Sequence, residues 1–486
     1  MEYYLQDILN KVESDEKILQ FRFQYKNVLV WPFIRFNVYR MISNRRLNLT
    51  ARKKNEFKKK EYIGKLIKCI KIGFKSPFFW RQKDFLYFYG AGGNIITSSG
   101  RVYHRIYDWF VIEYNEHSGV IETRGQIKYK DDKHVDKRYL DTIDFLIEIL
   151  CYMSKPDDKD VLMADALLDY LCKECRLEIS SDEVKRLKKN ILFFAKAIRY
   201  MDKIFCRLFY ELNPKIVFIE DGCFGGKNAY LIKILHGLNI KTAEVQHGWI
   251  GKSHEAYVHS RFLCDSAEYE TYMPDYFLGW SEYWLDKIAI PGEKIPIGNP
   301  GFWQQYQTFQ EHQKKKRPSS DHLTILWIAF GDNEKNKRLL AEFIKASENE
   351  YNIRVRLHPA LRWLKKEYTE YEGNKRIMMD ELDSVYDSLY LSDYVIAETS
   401  TVIYEALAVG RPTFVLYSEM ASAFELLDVA PVFKDVNELL DLLHNTDMNM
   451  YCNSENRKKY FGDMWQQEFR RFIKTVGVSY HNFESS

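Results

Sequence analysis

Five stretches of the chain place acidic, imidazole or hydroxyl side chains directly after short apolar runs. In an open parallel α/β sheet, that edge is where ligands bind. The five are Glu220, Asp221 and Gly222 after "KIVFI"; Gln246, His247 and Gly248 after "TAEV"; Gly331 and Asp332 after "LWIAF"; His358 and Pro359 after "IRVRL"; and Thr399, Ser400 and Thr401, in "ETST", after "DYVIA". Carboxylates and a histidine suit general acid or base work. Short hydroxyls and free backbone N–H groups at a helix start suit a phosphate. Glu405 follows Thr401 by one helical turn, on the same face, where a carboxylate can accept two hydrogen bonds from a ribose diol. Pro359 ends its strand and leaves His358 at the edge, able to donate to a phosphate oxygen or to assist a leaving group. Each edge alone reads equally well as a capped helix or a turn; five together favour a shared ligand site. Lys252, in the loop after His247, is a further candidate contact for donor or acceptor.

The elements that must hold these residues follow a β-α rhythm. Residues 1–83 read as a helical, basic extension, and 84–308 as a Rossmann-like domain with a helical insertion. "DFLYFYGAGGN" opens that domain as a strand and glycine-rich turn, and "DYFLGWS" and "EKIPIGNPGF" close it as short strands. The polar, basic stretch 309–321 is the expected linker. Residues 322–453 repeat the pattern as a second Rossmann-like domain, and 454–486 begin as one amphipathic helix able to cross back. The predicted fold class is α/β, two Rossmann-like domains facing a cleft.

At 486 residues, with 46% hydrophobic and 29% charged composition, the chain is long enough for two cores and unlike a disordered or fibrous one. A formal net charge of +3 gives no reason to expect a nucleic-acid partner. The charge is uneven, however. Arg45 to Lys75 holds twelve basic residues against two acidic ones, interleaved with Leu66, Ile67, Ile70, Ile72 and Phe74. That is a solvated basic stretch or a contact for an anionic membrane surface. No charge-free apolar run is long enough to span a bilayer and the N-terminus has no signal-peptide pattern, so a cytoplasmic location is expected, with peripheral contact to the inner face of the membrane as the second possibility. Cys172 and Cys175 form a lone CxxC, a weak zinc signal, and are taken as reduced structural thiols. Asp158 to Asp160, "DKD", stands at a helix start, away from any strand edge, so no metal is expected there. No dinucleotide glycine motif is present; Gly90 to Gly93, "GAGG", is an acceptor-side loop or a tight turn.

The order "VQHG", "IGNPGF", "RLHP", "ETSTVIYEALAVGRP", between Lys215 and Tyr417, resembles the GT-B glycosyltransferases of bacterial surface polysaccharides. That group includes capsule synthesis proteins, Kdo transferases, bacterial sialyltransferases and CDP-glycerol polymerases. "VQHG" looks like the His-Gly motif of the capsule and Kdo group and of the polymerases, and "IGNPGF" like their Gly-x-Pro turn. The resemblance implies transfer of a sugar from a nucleotide-sugar donor to a glycan or lipid-linked glycan, without a cofactor or metal. The second domain would hold the nucleotide through His358, Ser400, Thr401 and Glu405, with Thr399 and Gly331 beside them. The first would present the acceptor, with Gln246, Gly248 and Lys252 near it. His247, Asp221 or Glu220 would act as base in an inverting reaction, and Asp221 as nucleophile in a retaining one. The His-Gly motif leans towards a CMP-linked keto-sugar such as Kdo, while a glutamate at position 405 is also frequent with UDP-sugars.

Three other classes remain. A CDP-polyol phosphotransferase would use the same edges; a UDP-sugar 2-epimerase would need only a small-molecule site; a glycan-assembly scaffold would bind no nucleotide. The long N-terminal part favours a large acceptor over the epimerase.

Overall fold

The computed structural model describes residues 2–14, 16–46, 59–80, 86–90, 94–96, 101–114, 116–122, 130–131, 137–314, 321–329, 333–348, 350–371, 373–447 and 454–477. Gly331 and Asp332, residues 91–93 of the "GAGG" turn, 315–320 of the expected linker and 47–58 of the basic stretch lie outside the described residues. The chain forms two compact units. One comprises Glu2–Gly279, Lys287–Pro296 and Gln466–Ser486; the other comprises Trp280–Asp286 and Ile297–Trp465.

The N-terminal unit is built on seven strands: β1 (Leu86–Tyr89), β2 (Ser118–Glu122), β3 (Lys137–Tyr139), β4 (Ile216–Ile219), β5 (Lys241–Val245), β6 (Tyr276–Gly279) and β7 (Glu293–Pro296). All pair in parallel, in the order β7-β6-β5-β4-β1-β2-β3. The second unit carries six: β8 (Leu323–Ala329), β9 (Tyr351–Leu357), β10 (Ile377–Met379), β11 (Tyr394–Ala397), β12 (Thr413–Leu416) and β13 (Val432–Phe433). These are also parallel, in the order β10-β9-β8-β11-β12-β13. Both units are therefore Rossmann-like α/β folds, as the sequence predicted. Each winds third-second-first-fourth, so the direction of winding reverses between β1 and β4 in one unit and between β8 and β11 in the other. Such switch points open a crevice at the carboxyl ends of the strands. The central strands read as unbroken apolar runs because both faces are covered: every residue of β4 and of β11 is buried.

Helices α1 (Glu2–Val12), α2 (Trp31–Arg46), α3 (Lys59–Ile72), α4 (Tyr107–Glu113), α5 (Asp141–Met153), α6 (Asp158–Asp169), α7 (Ser181–Leu212) and α8 (Lys227–Gly237) belong to the N-terminal unit. α7 starts at a capping box of Ser180 and Glu183 and ends at Asn213, left-handed at φ 40°. Its buried residues Leu187, Ile191, Ile198, Phe205 and Leu212 keep helical spacing. The first 83 residues are built into this unit. Glu13, fully buried, accepts from Trp31 Nε1 at 2.9 Å, Arg35 Nε at 2.7 Å and the Tyr39 hydroxyl at 2.7 Å. Arg35 in turn donates to the carbonyls of Glu255 and Val258, both at 2.6 Å, which pins the segment after β5. "DKD" opens α6: Asp157 caps it by accepting from the Lys159 amide, and buried Asp160 accepts from the Gln24 amide at 2.9 Å. Cys172, within a π-turn over Tyr170–Glu174, and Cys175, just after it, form no disulfide.

Helices α9 (Pro300–Gln313), α10 (Asn333–Ala346), α11 (Val402–Ala408) and α12 (Glu455–Phe461) follow in the second unit, and α13 (Trp465–Thr475) lies almost wholly in the first. Three local expectations change. "GNPGF" is not strand: Asn299 accepts from the Phe302 amide at 3.0 Å and Pro300 starts α9. The expected linker begins inside that helix, which runs to Gln313 because Phe302 and Phe309 are buried. The C-terminal helix is two helices, broken at Gly462 (φ 66°), where a Cβ would meet the Trp280 carbonyl oxygen at 2.4 Å. Beyond the break, Phe469 of α13 packs on Phe110 of α4, with ring centroids 4.2 Å apart.

Candidate functional site

In the N-terminal unit, the chain leaves β4 through Glu220 and reaches Asp221 in the left-handed conformation, φ 57° and ψ 33°. Aspartate tolerates this region better than most residues, and isolated strained residues of this kind concentrate at functional sites. The surroundings admit only small neighbours. A Cβ on Gly90, which follows β1, would stand 2.4 Å from Glu220 Cβ, and one on Gly225 would stand 2.1 Å from the Pro32 carbonyl oxygen. Asn228 of α8 donates from Nδ2 to the Glu220 carbonyl at 2.9 Å and fixes the turn from below.

The next strand edge meets this one. His247 Nε2 lies 3.3 Å from Asp221 Oδ1, and on the opposite edge of the ring Nδ1 lies 3.5 Å from the Tyr257 hydroxyl and 3.9 Å from Glu244 Oε1. Glu244 is fully buried within β5; it accepts from the Cys223 amide at 2.7 Å and from the Tyr257 hydroxyl at 2.8 Å. The side chains grade from 45% exposed at Asp221, through 20% at His247, to none at Glu244. Asp221 is therefore the member that can meet a ligand, with His247 behind it. On the other flank, His104 Nδ1 accepts from the Tyr107 amide at 3.0 Å, so its proton sits on Nε2, 3.3 Å from Glu220 Oε1. Tyr107 stacks on His104 with centroids 4.3 Å apart, and its buried hydroxyl has no hydrogen-bond partner among the described residues.

Burial and crowding among acids divide the protons unevenly. Burial, reinforced by Glu220, pushes the Asp221 carboxyl up to about 6. Burial pushes Glu244 up to about 8 and holds His247 down to about 4, with Arg105 adding to the latter. His254, its ring tilted 36° to that of Tyr257 with centroids 4.5 Å apart, is held down to about 3 by burial and then by His247. At neutral pH the site thus presents a charged Asp221 backed by a neutral imidazole and a protonated Glu244. A carboxylate poised near neutrality, held by a neutral histidine, suits abstraction of a hydroxyl proton. One donor atom each of Asp221, Glu244 and His247 lies within 4.8 Å of the others. Both Glu244 oxygens are already engaged in the core, a poor set for a cation.

The remaining predicted residues of this edge divide. Gln246 is buried and donates from Nε2 to the Gly248 carbonyl at 2.9 Å, so it shapes the turn. Among the described residues nothing stands within 4 Å of a Cβ built on Gly248, beside His247. Lys252 is exposed in the following loop. Glu220 is buried against His104, one step behind Asp221.

In the second unit, the His358 amide donates to the Ala329 carbonyl at 3.2 Å, which sets His358 at the carboxyl edge beside β8. On the other side of β8, the turn after β11 is anchored by buried Glu398, which accepts from Asn336 Nδ2 at 3.0 Å. Thr399 is buried, its hydroxyl 3.5 Å from Met420 Sδ. Ser400 accepts from the Val402 amide at 3.2 Å, just before α11, whose N-cap is Thr401. Thr401 and Glu405 are partly exposed one turn apart, with the Glu405 amide donating to the Thr401 carbonyl at 3.3 Å. His358, Ser400 and Thr401 thus stand at strand edges flanking this unit's switch point.

Sequence reasoning missed Glu244, Tyr257, His104 and Tyr107. Glu244 had a signal, a carboxylate inside the apolar run "TAEV". The others lie far along the chain from Asp221, and no spacing rule links them.

No family model matches the chain, and no curated protein does. Among solved structures, the chain is similar to the UDP-GlcNAc 2-epimerase of Methanocaldococcus jannaschii, with 13% identity and a TM-score of 0.46 over 80% of this chain and 99% of that one. It is similar to the UDP-GlcNAc 2-epimerase of Neisseria meningitidis bound to UDP-GlcNAc, with 12% identity and a TM-score of 0.45 over 80% and 100% of the two chains. It is also similar to the wall teichoic acid polymerase TagF, with 12% identity and a TM-score of 0.43 over 86% and 98%.

Proposed function

We propose that the chain is a glycosyltransferase that moves a sugar from a nucleotide-activated donor to a hydroxyl of a growing bacterial surface glycan, free or lipid-linked. The observation that carries this reading is the pair Asp221 and His247, 3.3 Å apart at the switch point of the N-terminal unit, with the carboxylate outermost. Asp221 takes the acceptor hydroxyl proton as the oxygen bonds to the anomeric carbon. The bond from that carbon to the nucleotide phosphate oxygen breaks, and the phosphate leaves with the electron pair. His247 holds Asp221 in place. In the second unit, His358, Ser400 and Thr401 receive the phosphate and Glu405 the ribose diol. A CMP-linked keto-sugar is the favoured donor, on the likeness of "VQHG" to the His-Gly motif.

Thermal unfolding with CMP-, CDP-, UDP-, GDP- and dTDP-linked compounds tests this. A ligand at 100 times its Kd adds about 2.7 kcal/mol of stability. Stabilisation by one nucleotide class, together with Asp221→Asn that binds the donor and does not turn over, is the expected result. Stabilisation by a CDP-polyol alone transfers the reading to polyol phosphate transfer. No stabilisation by any of them leaves no donor site and overturns it.

A further inference from the structure

We propose that α3 and the outer face of α5 form a docking surface for an anionic phospholipid bilayer, a property beyond the transfer reaction. Helix α3 faces two ways. Cys69 and Ile72 are buried; Lys68 reaches Asp141 of α5 at 2.8 Å, and the Thr142 hydroxyl donates to the Cys69 carbonyl at 3.0 Å. Leu66, Ile67 and Ile70 point away from that contact, and Phe74, just past the helix, is 85% exposed. At about 100° per residue Leu66, Ile67 and Ile70 fall in one stripe with Lys71 beside it, and Phe74 and Lys75 follow in the turn Gly73–Lys75, where the Lys75 ammonium lies 5.7 Å over the Tyr139 ring. On α5, Tyr152 and Met153 are 89% and 78% exposed.

A soluble helix hides such a stripe, and large exposed apolar patches mark interaction sites. Charge selects the occupant. From Lys59 to Lys75 the helix and the turn after it hold six lysines against one acidic residue, a balance that would repel a second copy of the same surface and attract an anionic one. Apolar side chains edged by lysine are the composition of helices that lie in the headgroup plane. No helix among the described residues is long and apolar enough to cross a membrane, so the surface would be met from one side.

Flotation of the full chain with phosphatidylcholine vesicles, with and without phosphatidylglycerol, at low and high salt, tests the proposal without any assay of transfer. Flotation only with phosphatidylglycerol, reduced by salt, is expected. The pair Lys71→Gln and Lys75→Gln should weaken partitioning about fivefold per lysine. Ile70→Ser with Phe74→Ser should abolish it with the melting temperature unchanged; should that variant fail to fold, the lysine pair decides. Absence of flotation, or flotation indifferent to phosphatidylglycerol and to the lysine pair, overturns the proposal. So does self-association in sedimentation that the apolar variant abolishes without any vesicle binding.

Discussion

The Tyr257 hydroxyl donates to Glu244 at 2.8 Å, and both groups face the Nδ1 edge of His247 while Asp221 faces Nε2. His247 is therefore held between an interior acid and an outer one. The interior acid keeps its proton at neutral pH because it has no water around it; the outer one gives its proton up.

Removing the link between Tyr257 and Glu244 has a defined cost. Tyr257→Phe deprives a buried carboxyl oxygen of its donor and should lower stability by about 1–3 kcal/mol. Denaturant unfolding of the two proteins measures it; coincident curves would show that the hydroxyl contributes nothing.

Transfer should depend on pH through Asp221. Its carboxyl, raised to about 6, is the active base only when ionised, so the rate should fall as pH drops through about 6. Glu220→Gln removes the negative neighbour that helps raise it, and the acid limb should move to lower pH. A limb that stays in place in this variant would assign the titration to another group.

Stability should follow pH in two opposite ways. Glu244 is raised from 4.5 to about 8, so its contribution is full below pH 4.5 and is lost as pH rises through about 8. His247 and His254 are lowered from 6.5 to about 4 and about 3, so theirs is present above pH 6.5 and lost as pH falls through those values. Glu244→Gln should gain on the wild type between pH 5 and 8 as measured by melting temperature. A constant difference across that window would mean that Glu244 is ionised in the fold.

The pair of Glu13 and Arg35 is the strongest structural commitment of the N-terminal helices. Arg35→Met leaves a buried carboxylate and should cost about 3–5 kcal/mol. It should also reduce turnover, because Arg35 holds the carbonyls of Glu255 and Val258 on either side of Tyr257. Unfolding and rate measurements on one preparation test both. Stability lost with turnover intact would show that the segment holds its place unaided.

In the second unit, Glu405→Gln should weaken nucleotide binding by about ten-fold or more, the value of a hydrogen bond to a charged group. His358→Ala should weaken it as well, and neither should alter the acid limb assigned to Asp221. Calorimetric titration of the donor gives the affinities. Undiminished affinity in both variants would place the nucleotide elsewhere.

The sheets were legible because β4, β8 and β11 are apolar runs ended by polar or glycine residues, a pattern that burial on both faces imposes. Asp221 and His247 were legible for the same reason. Glu13 and Arg35 were not, since a buried ion pair joins residues through space and leaves no period in the sequence. The break at Gly462 was hidden because the residues on either side share one apolar rhythm, and only the approach of the Trp280 carbonyl forces the chain to turn.

The shared strand order of the two sheets makes Glu220 and Glu398 counterparts: each is the first residue after its unit's fourth strand. Each is buried and tied by a side chain from another element, His104 for one and Asn336 for the other. The chain solves one backbone problem twice. A sunken glutamate anchors the turn, and the residues after it differ, Asp221 and Gly222 in one copy and Thr399 and Ser400 in the other. Exchanging the short segments that follow the two glutamates would ask whether the halves are interchangeable cradles whose chemistry is set by two or three residues each.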